Sequence, residues 1–312
     1  DMYSDMQDNM PENYRLSIAE ITSTDARLLH VNNDGIYASS WTYNYNGTCF
    51  FQRIVFNDFN KDDNLDIFIL RQLSGPYYSA VFYSDGNGNI TNTVTVSNTT
   101  SGSNDIAVAD FDGNKLPDLA LAVTGGGTND CYMLNNGSTG FSLNTIGTIG
   151  SNSRAITPGD YDKDGDIDLF LGNQGMNHEL FINRINEGGT FQSVSWSATP
   201  TSSAISDIQS GDLDGDGDID LIEVNSPGEI RVRLNNGNAY FTHNWFSTGP
   251  YNATKIVLSD FDGDSDIDAF VVINGLPSIN RILLNDGNGN FTISTLTAPG
   301  TEATNAAATG DM

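Results

Sequence analysis

The sequence predicts an all-β protein built from repeated four-stranded antiparallel sheets, and three observations support this prediction. A nine-residue acidic motif occurs five times, with first aspartates at positions 58, 110, 160, 212 and 260, which are 48 to 52 residues apart. Short apolar stretches precede and follow each motif, and each unit carries one tight-turn signal. Four short strands in a unit of ~50 residues are typical of a β-propeller blade. We therefore expect a β-propeller in which an acidic loop joins the first two strands of each blade.

The last complete unit illustrates how the strands of a blade are assigned. Residues 255–258 precede the acidic loop and residues 267–273 follow it, and both stretches are apolar enough to form buried strands. Residues 281–284 form the expected third strand, and the dipeptide Asp286-Gly287 turns the chain into a fourth strand at 291–297. Such dipeptides supply positive φ to tight hairpins at little cost. Equivalent turns occur at Asp85-Gly86, Asn136-Gly137 and Asn236-Gly237, with Glu187-Gly188 in the remaining unit.

The two ends of the chain predict how the propeller closes. Residues 1–312 form one expected domain with repeats at 1–57, 58–109, 110–159, 160–211, 212–259 and 260–312, which favours six blades. The N-terminal blade has a degenerate loop at 1–9 and needs a first strand, and residues 307–312 resemble a first strand without a blade. Pairing the two would close the ring and remove a free sheet edge. Seven blades fit if residues are missing from the sequence, and exchange of the strand between subunits would form polymers.

The amino-acid composition limits the classes of binding partner that the chain can have. The chain has 40 acidic and 13 basic residues and a net charge of −27, which argues against nucleic acid or anionic lipid and favours divalent cations. No run of 18 apolar residues occurs, so membrane insertion is not expected. Cys49 and Cys131 share no metal-ligand spacing and are expected to be buried or strand-borne thiols. Position 1 is Asp, so a processed or partial product is expected.

The acidic loops carry side-chain oxygens at positions 1, 3, 5 and 9 of each motif, a spacing that lets them converge when the chain curls. Ca²⁺ takes six to eight oxygen ligands, so about five structural Ca²⁺ ions are predicted, which would lower the net charge from −27 to −17. The predicted side-chain ligands are Asp58, Asn60, Asp62 and Asp66; Asp110, Asp112, Asn114 and Asp118; Asp160, Asp162, Asp164 and Asp168; Asp212, Asp214, Asp216 and Asp220; and Asp260, Asp262, Asp264 and Asp268.

Two other interpretations of these loops fit the sequence less well. Asp, Asn and Gly are common in polar turns, but turns alone do not repeat one odd-position pattern five times. An EF-hand needs flanking helices and Glu at position 12, and only Glu223 among the five loops meets the second condition. Position 6, where a sharp turn favours Gly, is Gly165 in the third loop and Gly217 in the fourth, so these two loops are expected to bind most tightly. The first two loops, each with one Asn in place of Asp, are expected to bind most weakly.

The loops at 160–168, 212–220 and 260–268, each followed by an apolar strand and a Gly-marked hairpin, resemble the FG-GAP/VCBS repeats of calcium-binding β-propellers such as integrin α-subunit heads. The resemblance covers about residues 28–311 and implies structural Ca²⁺ on one face of the ring. The chain departs from the family pattern at Lys115, at Pro117 and in the 1–9 loop. The resemblance also implies that backbone carbonyls at position 7 complete the ligand sets, namely those of Asn64, Leu116, Asp166, Asp218 and Asp266.

Three classes of function follow. The first is a non-catalytic extracellular adhesion or recognition module for a glycan or an extracellular protein. Its support is the family tendency and the aromatic residues in or near loops: Trp41, Tyr43, Tyr45, Tyr77, Tyr78, Trp196, Trp245 and Tyr251. Sequons at positions 46, 89, 98, 136, 252 and 290 are compatible with secretion.

The second class is a structural subunit that joins copies of itself into a filament through its ends. The third, a polysaccharide lyase or hydrolase, has little support because no catalytic constellation recurs, and we expect no enzyme activity.

Overall fold

The computed structural model describes residues 15–21, 25–31, 37–44, 50–72, 79–86, 89–96, 102–124, 129–137, 140–147, 152–194, 204–226, 228–248, 252–274 and 280–295. These residues form antiparallel β-structure without an α-helix. None of the described segments provides a helix that is long and apolar enough to cross a membrane.

Five sheets contain four strands each, and every sheet is a meander in which sequential strands pair. Sheet one contains β4 (Phe50–Asn57), β5 (Asp66–Gln72), β6 (Ser79–Ser84) and β7 (Ile90–Val96); sheet two β8 (Ser103–Ala109), β9 (Asp118–Val123), β10 (Asp130–Asn135) and β11 (Phe141–Ile146); sheet three β12 (Ser153–Gly159), β13 (Asp168–Asn173), β14 (Glu179–Ile182) and β15 (Gln192–Val194); sheet four β16 (Ala204–Gly211), β17 (Asp220–Ser226), β18 (Glu229–Asn235) and β19 (Phe241–Thr248); and sheet five β20 (Ala253–Ser259), β21 (Asp268–Ile273), β22 (Arg281–Asn285) and β23 (Phe291–Thr295).

Burial decreases from the second strand of a sheet to the fourth. Every residue of β9 and of β13 is buried, whereas β7 and β11 have mostly exposed or half-buried residues. A strand that is covered on both faces needs a continuous apolar sequence, and β9 reads Asp-Leu-Ala-Leu-Ala-Val. The predicted second strands are therefore confirmed as the buried centre of each sheet, and the fourth strands form its solvent side.

The hydrophobic core lies between consecutive sheets. One cluster joins sheets one and two through Phe68 and Leu119, the next joins sheets two and three through Ala120 and Leu169, and two more follow between sheets three and four and between sheets four and five. Sheets two, three and four thus bury both faces against the sheets before and after them in sequence. Such packing between sequence neighbours is typical of a repeat protein.

The first strands of successive sheets pack against one another, and charged residues link them. Arg53 Nε lies 3.1 Å from Asp105 Oδ1, and Lys255 Nζ lies 2.8 Å from Asp207 Oδ1. Lys255 Nζ is also 3.9 Å from Asp105 Oδ1, so sheet five approaches sheet two although two sheets separate them in sequence. Burial raises the pKa of Asp207, while the neighbouring Lys255 opposes that rise. The first strands therefore surround a common region.

A three-stranded sheet precedes sheet one and consists of β1 (Arg15–Ile21), β2 (Asp25–Val31) and β3 (Tyr37–Asn44). The sequence predicted third and fourth strands at β2 and β3, and β1 stands where a second strand belongs. The predicted closing strand at 307–312 and the degenerate loop at 1–9 lie outside the described residues. The six-blade count, the ring closure and the single domain over 1–312 remain predictions.

Cys131 behaves as the sequence predicted. It lies in β10, is buried and forms no disulfide. Burial raises the pKa of its thiol to about 12, so the thiol stays protonated and packs as a small apolar group. Cys49 lies outside the described residues.

In sheets two to five, an asparagine at the end of the third strand ties the sheet to the preceding one. Asn135 Nδ2 donates hydrogen bonds to the Phe59 carbonyl of the preceding loop at 2.8 Å and to the Pro117 carbonyl of its own loop at 3.1 Å. Asn183, Asn235 and Asn285 repeat this arrangement with the carbonyls of Phe111, Tyr161 and Leu213. Four consecutive links therefore hold the five acidic loops in a fixed series.

Substituting Asn135 by Ala should lower the free energy of unfolding by about 2–4 kcal/mol, because two buried carbonyls lose their donor. Urea unfolding of the calcium-saturated protein measures the change. Asn92→Ala is the control, since Asn92 is exposed on β7 and accepts only the Thr93 N–H, and it should change stability by less than about 0.5 kcal/mol. Equal effects at the two positions would contradict the structural role of Asn135.

Candidate metal centre

Five acidic loops, numbered one to five in chain order, join the first and second strands of the five four-stranded sheets. Their nine positions begin at Asp58, Asp110, Asp160, Asp212 and Asp260. In every loop, positions 4 and 6 have positive φ, between 58° and 94°. The sequence predicted the sharp turn at position 6, but the second left-handed residue at position 4 was not predicted.

Hydrogen bonds from the backbone to the acidic side chains produce the curl. The position 6 N–H donates to the position 1 carboxylate at 2.7–3.1 Å in all five loops. The position 7 N–H donates to the position 5 side-chain oxygen at 2.7–3.0 Å. Asp and Asn suit these positions because a short polar side chain can replace a backbone acceptor in a turn. The same residues that were predicted as ligands therefore shape the loop.

The carboxylates of positions 1, 3 and 9 converge in loops two to five. In each of these loops one oxygen from each of the three side chains lies within 4.8 Å of the others, as in Asp160, Asp162 and Asp168. Oxygens on opposite sides of one Ca²⁺ would lie about 4.6–5.2 Å apart, since Ca–O distances are about 2.3–2.6 Å. The remaining clusters are Asp110, Asp112 and Asp118; Asp212, Asp214 and Asp220; and Asp260, Asp262 and Asp268. This donor set of hard oxygens is compatible with Ca²⁺.

Several oxygens of these clusters are buried without a hydrogen-bond donor. Asp110 Oδ1, Asp160 Oδ1 and Asp162 Oδ1 have no partner in the described structure. A buried carboxylate oxygen without a donor costs free energy unless a cation is present. These oxygens belong to positions 1 and 3, which face the same point as position 9. The residues present therefore fit a bound cation.

The aspartate at position 9 has a structural role that the sequence did not indicate. Asp168 is fully buried, and its Oδ2 accepts the Tyr161 N–H from loop position 2 at 2.9 Å. Its Oδ1 accepts the Asn183 N–H at the end of β14 at 2.8 Å. The same pair of bonds occurs at Asp66, Asp118, Asp220 and Asp268. Position 9 thus fastens the loop to the third strand and can share only its remaining lone pairs with a metal.

Burial dominates the titration of the position 9 aspartates of loops one to four. It raises the pKa of Asp66, Asp118, Asp168 and Asp220 to about 7, although two backbone N–H donors oppose the rise at each site. Neighbouring loop carboxylates raise the pKa further by repulsion. Loops one to four therefore stabilise either a proton or a metal ion at position 9.

Loop one differs from the other four because Asn60 occupies position 3. Asn60 Nδ2 donates to Asp62 Oδ2 at 2.8 Å, which holds positions 3 and 5 together. Loop two likewise pairs Asn114 Nδ2 with Asp112 Oδ2 at 3.1 Å. The weaker calcium binding that the sequence predicts for these two loops remains a prediction.

Position 7 side chains lie over the turn between the third and fourth strands. A Cβ atom added to Gly237 would come within 2.9 Å of both Asp218 carboxylate oxygens, and one added to Gly287 would meet Asp266 equally closely. The turn glycines therefore provide both positive φ and the space that position 7 occupies. The roles of the Asn64, Leu116, Asp166, Asp218 and Asp266 carbonyls as ligands remain predictions.

Two cationic side chains approach the loops. Arg184 contacts Asp164 and lies 3.1 Å from Asp162 through Nη2, so it neutralises two predicted ligands of loop three. Lys163, at position 4 of the same loop, contacts Asp218 of loop four. Arg184 occupies the turn position that is Asn136 or Asn236 in other sheets. An ion in loop three would have to share Asp162 and Asp164 with this guanidinium, which works against the tight binding predicted for that loop.

Glu223, the residue that meets the EF-hand condition at position 12 of loop four, has a structural role in the core. Glu223 lies in β17 and is buried, with Oε2 3.3 Å from His178 Nε2 and Oε1 3.0 Å from Arg233 Nη2. Burial by itself raises the pKa of Glu223, but His178 and Arg233 outweigh it and hold the pKa below its ordinary value. Glu223 thus belongs to a buried ion-pair network between sheets three and four.

The structure places few of the aromatic residues that the sequence predicted for recognition. Trp245 is half-buried in the core of sheets four and five, and its ring lies 5.6 Å from that of Phe291. Trp41 and Tyr43 lie in β3, where only the backbone is described, and Tyr45, Tyr77, Tyr78, Trp196 and Tyr251 lie outside the described residues. Trp245 is therefore a packing residue.

The chain belongs to the FG-GAP-like repeat family. The family model matches residues 58–121, 117–171, 160–223 and 212–271, which together span more than half of the chain and include all five loops. The resemblance predicted from the acidic motifs is therefore confirmed. No curated protein matches the chain in sequence.

Solved structures with similar folds are propeller-like. One is BBS1N in complex with ARL6DN, soaked with lead, with 10% identity and a TM-score of 0.50 over 94% of this chain and 86% of that chain. Another is the V. cholerae biofilm matrix protein Bap1, with 17% identity and a TM-score of 0.51 over 94% of this chain. The match covers 51% of Bap1, so the chain spans about half of that protein's length. At these identities the similarity concerns the fold alone.

Substituting Lys115 by Gly should stabilise the protein by about 0.5–1 kcal/mol, because Lys115 is exposed and adopts a φ of 71° that glycine tolerates better. Thermal unfolding with and without calcium measures the change. Lys115→Ala is the matched control, since it removes the same side chain and charge but keeps the unfavourable φ. An equal gain in stability for Lys115→Ala would show that the charge of Lys115, and not its backbone conformation, lowers the stability of the protein.

The raised aspartate pKa values predict an unusual pH dependence for the metal-free protein. An unfolded Asp titrates near 3.9, so between about pH 4 and pH 7 the folded state binds more protons than the unfolded state. Stability should therefore fall as the pH rises through this window, and calcium should offset the loss. We expect the difference in melting temperature between calcium and EDTA to be larger at pH 8 than at pH 5.

The measurement should be repeated in 0.5 M KCl, which screens repulsion between exposed charges and leaves the burial effect largely intact. A calcium-dependent difference that is equal or larger at pH 5 would contradict the assignment.

Proposed function

We propose that the chain is a six-bladed, calcium-stabilised β-propeller that acts outside the cell as a non-catalytic recognition module for a glycan or a protein. The observation that carries the calcium assignment is the convergence of three carboxylates in four successive loops, with buried oxygens that lack donors. The family match and the fold similarity to a biofilm matrix protein support an extracellular setting.

Two features support the closed six-bladed arrangement. Lys255 approaches Asp105 across two intervening sheets, as expected if the first strands surround one axis. Among the described residues, the sheet β1–β3 has three strands where the other five sheets have four, so it can accept a first strand. In this proposal residues 307–312 supply that strand.

A non-catalytic role is supported by the settings of the polar residues. The loop carboxylates shape the loops and converge on one another, and the His178 ring donates to the buried Glu223. His243 lies on the outermost strand of sheet four with its ring 5.5 Å from that of Phe246. Contacts within the protein account for these groups, so we assign the binding role to other surfaces.

Asp160→Asn should remove one bound Ca²⁺ per chain and lower the melting temperature, because position 1 contributes a buried carboxylate oxygen without a donor. Asp166→Asn is the control in the same loop, since Asp166 at position 7 is predicted to bind through its carbonyl and its side chain accepts from Asn186. Equilibrium dialysis with metal analysis counts the ions. An unchanged melting temperature in excess EDTA would overturn the calcium proposal.

A structural subunit of a filament is the second candidate, because the three-stranded sheet could accept a strand from another copy. Light scattering after size exclusion, in calcium and over a wide range of concentrations, separates the two. A monomer at all concentrations with protease-resistant termini would support the closed module. Growth with concentration would support the filament.

A further inference from the structure

A polar cavity of about 320 Å³ lies at the opposite end of the first strands from the acidic loops. Arg53, Asn104, Arg154, Gln174, Ile205 and Ser206 line it, and they come from sheets one to four. Because the first strands pack side by side, the cavity lies where they surround a common region. Its volume is at the lower end of the range for small-molecule sites.

β-Bulges in the first strands build this cavity. The pairing register of every first strand skips one residue near its start, namely Gln52, Asn104, Arg154, Ser206 and Thr254. A bulge redirects a side chain that would otherwise alternate to the other face of the sheet. All five bulged residues are polar or charged, and three of them line the cavity. The repeated irregularity thus directs polar groups to one place.

Two guanidinium groups in this cavity have nitrogens available for a ligand. Arg53 uses Nε for Asp105 at 3.1 Å, and Arg154 uses Nε for Gln174 Oε1 at 2.8 Å. The structure gives their terminal nitrogens no other partner among the described residues. These bonds orient both planar groups, and paired N–H donors of this kind match a carboxylate.

The local charge also favours an anion. Arg53, Arg154 and Lys255 contribute three positive charges to this region, against two negative charges from Asp105 and Asp207, in a chain of net charge −27. The described lining of the cavity includes no acidic side chain. Ser206 and the amides of Asn104 and Gln174 can form hydrogen bonds with hydroxyl groups, and Ile205 contributes an apolar side chain to the described lining.

We propose that this cavity binds a carboxylate-bearing sugar, with Arg154 and Arg53 holding the carboxylate and the amide and hydroxyl groups contacting the ring hydroxyls. This inference rests on the proposed recognition function and specifies its ligand class. The ligand side and the acidic-loop side then lie at opposite ends of each first strand.

Titration calorimetry with D-glucuronate tests the proposal, with D-glucose and acetate as comparison probes. Glucuronate should bind at least ten-fold more tightly than either. Arg154→Gln should weaken glucuronate at least ten-fold, and Arg154→Lys less, while the exposed position of Arg154 leaves folding intact. Arg231→Gln removes the same charge away from the cavity, where Arg231 contacts Glu229, and should change binding less than two-fold. Equal binding of glucose, equal binding of acetate, or an unchanged Arg154→Gln variant would each overturn the proposal.

A second measurement separates this proposal from the function on which it rests. Wild type and Arg154→Gln are compared for retention on immobilised polyuronate and on neutral glycans. Retention that survives Arg154→Gln would keep the recognition function and overturn the cavity site. Glucuronate binding that Arg154→Gln abolishes, without retention on any immobilised glycan or protein, would keep the site and overturn the recognition function.

Discussion

The paired hydrogen bonds of the buried ninth aspartate are the interaction on which each repeat depends. One carboxylate oxygen of Asp168 holds the start of its loop, and the other holds the end of the third strand. The bond to Asn183 fixes the position of the loop relative to the third strand, and hydrogen bonds within the loop produce the curl that brings the remaining carboxylates together. Burying this charge is costly, which is why its pKa rises to about 7. A cation in the loop would convert that cost into stabilisation, so ion binding and sheet formation are coupled.

The two ends of each first strand carry side chains of different chemistry. At its end an acidic loop concentrates negative charge, and near its start a bulge directs polar side chains such as Asn104 and Arg154 into a shared cavity. Five residues of extended chain lie between Asn104 and the first loop aspartate, and five lie between Arg154 and its loop. The six residue steps span ~20 Å, about two Debye lengths at physiological salt. Anionic groups at the cavity therefore experience little of the repulsion from the loops.

Much of this fold could be predicted because the acidic motif repeats with its strands. The sequence indicated the meander, the turn glycines and the convergence of residues such as Asp160 and Asp162. It did not indicate the partners that residues acquire from other sheets. Asn183, for example, donates a hydrogen bond to a carbonyl 72 residues away. Arg184 forms ion pairs with two predicted calcium ligands. Glu223 is buried against a neighbouring sheet and pairs with His178 and Arg233. Such contacts depend on how sheets stack, which a local pattern does not encode.

The link between neighbouring sheets also has an evolutionary consequence. The units of sheets two, three and four each carry a donor amide at the end of the third strand and an acceptor carbonyl at the second position of the loop. A duplication of one whole unit would therefore copy both halves of the joint together. The new unit would fit its neighbours on both sides without compensating changes. Arrays of such units can therefore lengthen by recombination of whole units.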